Sequence, residues 1–267
     1  MAAAELTKPC GVSVMPDGTF VVADGPTVKL IQSIGSHSTL LATIGESDNL
    51  KKAAGTTHDA RSSSVYVSDF SMKRVSQWSV TDGAFVGVVD IPGLDKPVGL
   101  DASPAGDLLA VADKGKSVIH LVPLNGAAGE CRTICRAGSG DGELKDPYDV
   151  SFSPDGSKLI VADWGNQRVV VMDLTGTFLA QYGGGTGTEA GQFAGGPRGV
   201  VMDNTGNVLV ADAVRVQRFA APGAAATELM LTMDNAGGMA SLAIDRRNGC
   251  IVVAAGKDHN LAVLTRA

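Results

Sequence analysis

The chain has 267 residues, 44% of them hydrophobic and 19% charged, a balance that excludes a disordered chain. Its formal net charge of −6 argues against broad, sequence-independent nucleic-acid binding, which rests on a basic excess. No run approaches 18 apolar residues, so no membrane span is expected, and the start Met1-Ala2-Ala3-Ala4-Glu5 lacks the basic and apolar regions of a secretory leader. The four cysteines, at 10, 131, 135 and 250, read as reduced and structural, as in a cytoplasmic protein.

Taken in chain order, the sequence repeats itself. The first unit runs from Pro9: Gly11–Val14 alternates, Asp17-Gly18 provides the positive φ of a tight hairpin, and the apolar run Phe20–Ala23 ends at Asp24. The second unit, AGTTHDARSSSVYVSD, ends at Asp69, and the third runs from Pro97 to Asp113. The fourth is the fullest. It starts at Pro147, turns at Asp155-Gly156 and runs through Leu159–Ala162 to Asp163. A polar turn to Arg168 then leads into strands expected at Val169–Met172 and, after Gly176, Phe178–Tyr182. The fifth unit runs from Pro197 to Asp212, and the sixth turns at Asn248-Gly249 and puts Ala255 in the Asp position. The intervals are 45, 44, 50, 49 and 43 residues. Four short antiparallel strands per unit make a propeller blade, which cannot bury both of its faces alone. The expected fold is therefore all-β: one six-bladed β-propeller domain over residues 1–267.

The pattern P-x-G-V…D-G…V-A-D…N-x-R-V, best carried by Pro147 to Val171, resembles the NHL repeat. The fifth unit fits it through Pro197, Gly199, Asp212 and Arg215, whereas the second lacks the proline and the sixth lacks both proline and terminal Asp. The resemblance implies a six-bladed propeller of the kind that usually serves as an interaction module. Each terminal Asp is expected to accept amide N–H groups of the turn after it and to pair with a following cation, as Asp69 with Arg74 or Asp163 with Arg168. Since the last recognisable strand, Leu261–Thr265, leaves an open edge, Ala3–Thr7 is expected to close blade six as its outer strand. Cys131 and Cys135, read on one strand, lie about 13 Å apart at ~3.3 Å per residue, too far for a disulfide.

The loops before each Pro and after each Asp share one face, here the entrance face, and the Asp-Gly turns share the other. More than half of the 22 basic residues fall on the entrance side by this sorting, among them Arg61, Lys73, Arg74, Lys114 and Lys145. Aromatic residues beside cations are typical of recognition hot spots and of single-stranded RNA platforms. The expected binding residues are Phe70, Lys73, Arg74, Tyr148, Trp164, Arg168, Phe193, Arg198 and Arg215. Two long loops, Ser139–Asp146 and the glycine-rich Gly183–Gly196, could approach a partner closely or order on binding.

Catalytic motifs are thin. The four histidines show no H-x-x-x-H spacing, and no G-x-S-x-G elbow is present. Metal lactonases and amidating lyases of similar architecture gather carboxylates, Asn or His toward the channel. Here the alternate face of the inner strands offers mainly Ser13, Thr57, Asp101, Ser151, Val201 and Ala243. His58 is the odd residue in its own column. No metal and no cofactor are expected. The reading is a non-enzymatic binding module for a protein partner, within a larger assembly, with no membrane contact. An RNA-binding propeller and a metal-dependent lactonase- or lyase-type propeller are the alternatives.

Overall fold

The computed structural model describes residues 5–34, 37–45, 50–59, 61–124, 126–127, 129–220, 228–232, 239–255 and 260–264. Blade 1 is β1 (Pro9–Val14), β2 (Phe20–Asp24), β3 (Thr27–Ile34) and β4 (His37–Ile44). Blade 2 is β5 (Ala53–Asp59), β6 (Ser64–Asp69), β7 (Arg74–Ser79) and β8 (Phe85–Val89). Blade 3 is β9 (Pro97–Ala102), β10 (Leu108–Asp113), β11 (Val118–Pro123) and β12 (Arg132–Ile134). A small parallel pair follows, β13 (Arg136–Ala137) with β14 (Glu143–Leu144). Blade 4 is β15 (Pro147–Phe152), β16 (Lys158–Asp163), β17 (Arg168–Asp173) and β18 (Phe178–Tyr182), and blade 5 is β19 (Gly199–Met202), β20 (Val208–Ala211), β21 (Arg215–Phe219) and β22 (Glu228–Thr232). Blade 6 is β23 (Met239–Asp245), β24 (Cys250–Ala255) and β25 (Asn260–Leu264). Each blade is a consecutive antiparallel meander, and each innermost strand packs against the innermost strands on both sides, β23 against β1 included. This is a six-bladed β-propeller.

The register bears out the alignment of the repeats. Pro9 pairs with Asp24, Ala53 with Asp69, Pro97 with Asp113, Pro147 with Asp163 and Met239 with Ala255. Gly18, Gly156 and Gly249 adopt φ of 90°, 72° and 76° in their hairpins, a region a side chain rarely enters. Among the described residues the only helix is the short 3-10 turn Trp164–Asn166, and no helix is long and apolar enough to cross a membrane.

Six apolar clusters lie between blades and none within a blade. Ala110, Ile119 and Leu121 of blade 3, for example, pack on Leu159, Val161 and Met172 of blade 4, and the same arrangement recurs at every other junction, including blade 6 with blade 1. Burying one such Val or Leu is worth about 1.5–3 kcal/mol, and only a neighbouring blade can bury it.

Glycines set how closely the inner strands approach. A methyl on Gly11 would lie 2.5 Å from the Ala54 carbonyl oxygen, one on Gly55 2.4 Å from that of Val98, and one on Gly199 2.9 Å from the Leu242 nitrogen. The recurring glycine of the repeat thus lets one inner strand touch the next.

Three expectations need correction. Among the described residues blade 6 has three strands. Ala3 and Ala4 of the expected closing strand lie outside the described residues, while Glu5–Thr7 are irregular. Thr7 and Lys8 instead donate their amides to the Asp24 carboxylate, and Leu6 packs into the junction of blades 6 and 1. Cys131 and Cys135 flank the short β12 instead of sharing it, and all four cysteines are free thiols. Arg61 belongs to the hairpin turn of blade 2 and so to the opposite face, where its guanidinium donates to the Ala105 carbonyl of blade 3 at 2.7 Å.

Candidate functional site

The Asp column builds the entrance face. Asp24, Asp69, Asp113, Asp163 and Asp212 are all buried, and each carboxylate accepts amides from the loop that precedes its own blade: from Lys52 to Asp69, Lys96 to Asp113, Lys145 to Asp163 and Ala194 to Asp212. Three of them also accept amides of the turn that follows, as Asp69 does from Ser71 and Met72. Cations complete the column. Lys29 lies 2.9 Å from Asp24, Arg168 2.9 Å from Asp163 and Arg215 3.3 Å from Asp212. In blade 3 the buried His120 takes this place, 3.3 Å from Asp113. Burial raises the Asp113 carboxyl, but His120 and the amides of Lys96 and Asp95 outweigh it and bring it to about 2.

This geometry sorts the nine expected binding residues. Arg168 and Arg215 turn inward. Arg168 donates to the carbonyls of Gly140 and Glu143 at 2.8 and 3.0 Å, and Arg215 to those of Glu189 and Gln192 at 2.9 Å each. Each arginine fastens one of the two long loops to the Asp column, and Phe193, fully buried, packs with Tyr182 and Phe219. These three residues belong to the interior, a correction that has a physical cause: a guanidinium beside a buried carboxylate satisfies loop carbonyls better than it serves solvent. Both loops are accordingly already held in place. Lys73 is exposed and pairs with Asp95 at 2.6 Å. The Arg74 guanidinium sits 5.9 Å from the Phe85 ring centre, on the outer side of blade 2.

The remaining four gather at the mouth of the central channel, with two lysines. Lys114 Nζ stands 4.5 Å from the Trp164 ring centre and 5.0 Å from that of Tyr148, while Lys52 Nζ stands 4.8 Å from that of Phe70. Each is a cation–π contact. Burial lowers the Lys114 ammonium and raises the Tyr148 phenol. Arg198 is near enough to act on both, and its Nε is buried without a hydrogen-bond partner among the described residues. Trp164 also leans on blade 5, where a methyl on Gly196 would lie 2.6 Å from its Cδ1. Sequence reasoning missed Lys52 altogether and passed over Lys114 as a site residue. Their signal was placement in the same face loops as Phe70 and Trp164.

Below the mouth runs a channel of about 680 Å³. One inner-strand column facing it reads Ser13, Thr57, Asp101, Ser151, Val201 and Ala243, blade by blade. Asp101 accepts the Phe152 amide of blade 4 at 2.9 Å and the Thr57 hydroxyl of blade 2 at 3.2 Å. A second carboxyl, Asp149, stands in the glycine column, where the other blades have Gly11, Gly55, Gly99, Gly199 and Ser241. It accepts the Val150 amide at 2.9 Å and, across to blade 5, the Val200 amide at 3.1 Å. Burial pushes Asp101 up to about 6 and Asp149 up to about 8, the latter with help from the Asp101 charge. Ser13 Oγ, Ser151 Oγ and His58 Nε2 line the same channel without a hydrogen-bond partner among the described residues. Burial lowers the His58 imidazole, which keeps it neutral at neutral pH. Asp149 was missed as a site residue. Its departure from glycine inside an otherwise regular repeat was the available signal.

No protein-family model and no curated protein matches the chain. A solved structure of Kuenenia stuttgartiensis hydrazine synthase is similar, with a TM-score of 0.65 and 15% identity over 100% of this chain and 97% of that one. At that identity the likeness extends to the propeller fold alone, and a fold hosts many unrelated functions. Among the described residues no group of three or more His, Cys, Asp or Glu side chains is placed to hold a metal ion.

Proposed function

We propose that this propeller is an NHL-type, non-enzymatic binding module that takes an acidic segment of a protein partner at the channel mouth, within a larger assembly. The observation that carries the reading is the preformed stack in which Lys114 reaches from blade 3 onto Tyr148 and Trp164 of blade 4. A cation already ordered on aromatic faces loses little freedom when a carboxylate reaches it, and Lys52 on Phe70 of the neighbouring blade 2 repeats the arrangement. The same stack weighs against single-stranded RNA, because bases need the aromatic faces that the ammonium groups cover.

The test is affinity capture from native extract with the wild type and with Lys52→Glu/Lys114→Glu. Charge reversal leaves the interior untouched, unlike Trp164→Ala, which would also open the contact with Gly196. The expected result is loss of the retained proteins from a variant with unchanged circular dichroism. Identical profiles would remove the mouth as the docking surface. Salt-sensitive binding of a fluorescent single-stranded RNA pool would replace the protein reading with RNA.

A further inference from the structure

The two channel carboxyls do more than the fold requires. Each accepts an amide of the next blade, but elsewhere in the ring an uncharged hydroxyl does the same in the same column. Ser241, in the Asp149 column, accepts the Val12 amide at 3.4 Å, and Thr57, in the Asp101 column, accepts the Ala102 amide at 3.2 Å. Carboxyls drawn partly out of water are costly unless paired, and among the described residues neither forms an ion pair with a Lys or Arg. Arg246, a cation that acts on Asp101, directs its guanidinium to Asn204 at 2.7 Å.

A second observation is independent of the acids. Ser151, only 6% exposed, lines the channel with its hydroxyl unsatisfied, and Ser13 Oγ is likewise unpartnered. Buried polar groups are otherwise nearly always hydrogen-bonded, and an occupant of the channel would satisfy both. Across from this polar arc of blades 1 to 4, blades 5 and 6 contribute Val201 and Ala243. The volume of about 680 Å³ falls in the range of small-molecule sites.

We propose that the channel binds a small organic ammonium compound with an apolar flank, its charged nitrogen at Asp101 and Asp149, its hydrogen bonds completed by Ser151 and Ser13, and its apolar part against Val201 and Ala243. The inference is independent of the docking surface at the mouth, and either can fail alone. Besides the carboxyl pair, the titratable groups that line the channel are Cys10 on β1, His58 and Asp59 on β5, Tyr148 on β15, Asp245, Arg246 and Arg247 at the end of β23, and Lys52, Arg61 and Lys114 in the loops; β19 contributes none. Burial lowers the His58 imidazole, so it is uncharged above about pH 7, and Asp245 is held by Arg247 at 2.7 Å, so the response above neutral pH is that of the pair. Affinity rises as Asp101 ionises near pH 6 and again as Asp149 ionises near pH 8.

The test is calorimetry and thermal shift with three probes (butylammonium, hexylammonium and 2-phenylethylammonium) and the neutral isostere 2-phenylethanol. Saturable binding is expected for at least one ammonium ion, with the alcohol weaker by about tenfold or more and affinity increasing from pH 5.5 to 8.5. Asp101→Thr and Asp149→Ser keep the inter-blade amide contacts, as Thr57 and Ser241 do, and each is expected to fold and to lose about tenfold or more in affinity. The proposal is overturned by equal binding of alcohol and amine, by affinity independent of pH, by full affinity in both folded variants, or by no binding of any ammonium probe at about 1 mM.

Discussion

The Asp149 carboxyl makes the stability of the whole ring depend on pH in an unusual direction. It is wedged between blades: a methyl on Gly99 of blade 3 would lie 2.0 Å from its Oδ1, and its Oδ2 holds the Val200 amide of blade 5. Burial, with the Asp101 charge behind it, raises the group to about 8, against about 3.9 in an unfolded chain. Because the folded value is the higher one, the contribution to stability is complete below about pH 4 and is lost as pH rises through about 8. At 1.36 kcal/mol per pH unit, the loss between about pH 6 and pH 8, above the range where Asp101 changes most, is about 2–3 kcal/mol. Asp149→Asn removes the titration and trades one amide contact for a mismatch that costs about 1–3 kcal/mol at every pH. Urea unfolding at pH 6, 7 and 8 should therefore show wild-type stability falling relative to the variant by about 2–3 kcal/mol. Two parallel stability profiles over that range would refute the assignment of a neutral Asp149.

Arg168→Met should cost about 3–5 kcal/mol, because it leaves the Asp163 carboxylate buried without its cation; hydrogen exchange should rise within residues 139–146, which lose their tether at Gly140 and Glu143. Unchanged exchange there would mean that β13 and β14 hold the loop by themselves. Gly99→Ala would place a methyl 2.6 Å from the Asp149 Cα as well as against its carboxyl, so blades 3 and 4 must separate. A lower melting temperature, equivalent to about 1–3 kcal/mol or more, is expected, and an unchanged one would show that the junction has slack.

The blades were legible because a propeller writes its period into the chain. Five units end strand two with an Asp, at 24, 69, 113, 163 and 212, whose carboxylate ties down the loop before its blade, and those of Asp69, Asp113 and Asp212 hold the following turn as well. Gly11, Gly55 and Gly99 mark where one strand backbone touches the next, which is why glycine recurs at that point. The direction of long side chains was not legible. Arg168 and Arg215 follow their aspartates in the turns of the entrance face, and nothing in residue order says whether a guanidinium reaches out or folds back over loop carbonyls. Phe193 read as an exposed aromatic for the same reason: a glycine-rich loop looks mobile in sequence, whereas here one ring anchors it beside Phe219. The closing strand was inferred from the need to cover an edge, yet the described part of that segment caps Asp24 instead.

A ring of equal blades has no front, so any directional function must come from where the blades differ. The departures concentrate at one junction. Lys114 of blade 3 crosses to Tyr148 and Trp164 of blade 4 at the mouth, and below it the carboxyl of Asp101 in blade 3 accompanies that of Asp149 in blade 4. Tyr148 and Asp149 are successive residues of β15, so strand alternation points them to opposite sides of the strand. The same short segment thus supplies both the aromatic half of the stack and the raised carboxyl, while the equivalent residues of blade 1, Cys10 and Gly11, supply neither. The asymmetry of the molecule is therefore chemical and local: it lies along the boundary of blades 3 and 4, on a scaffold whose remaining junctions are occupied with holding the ring together.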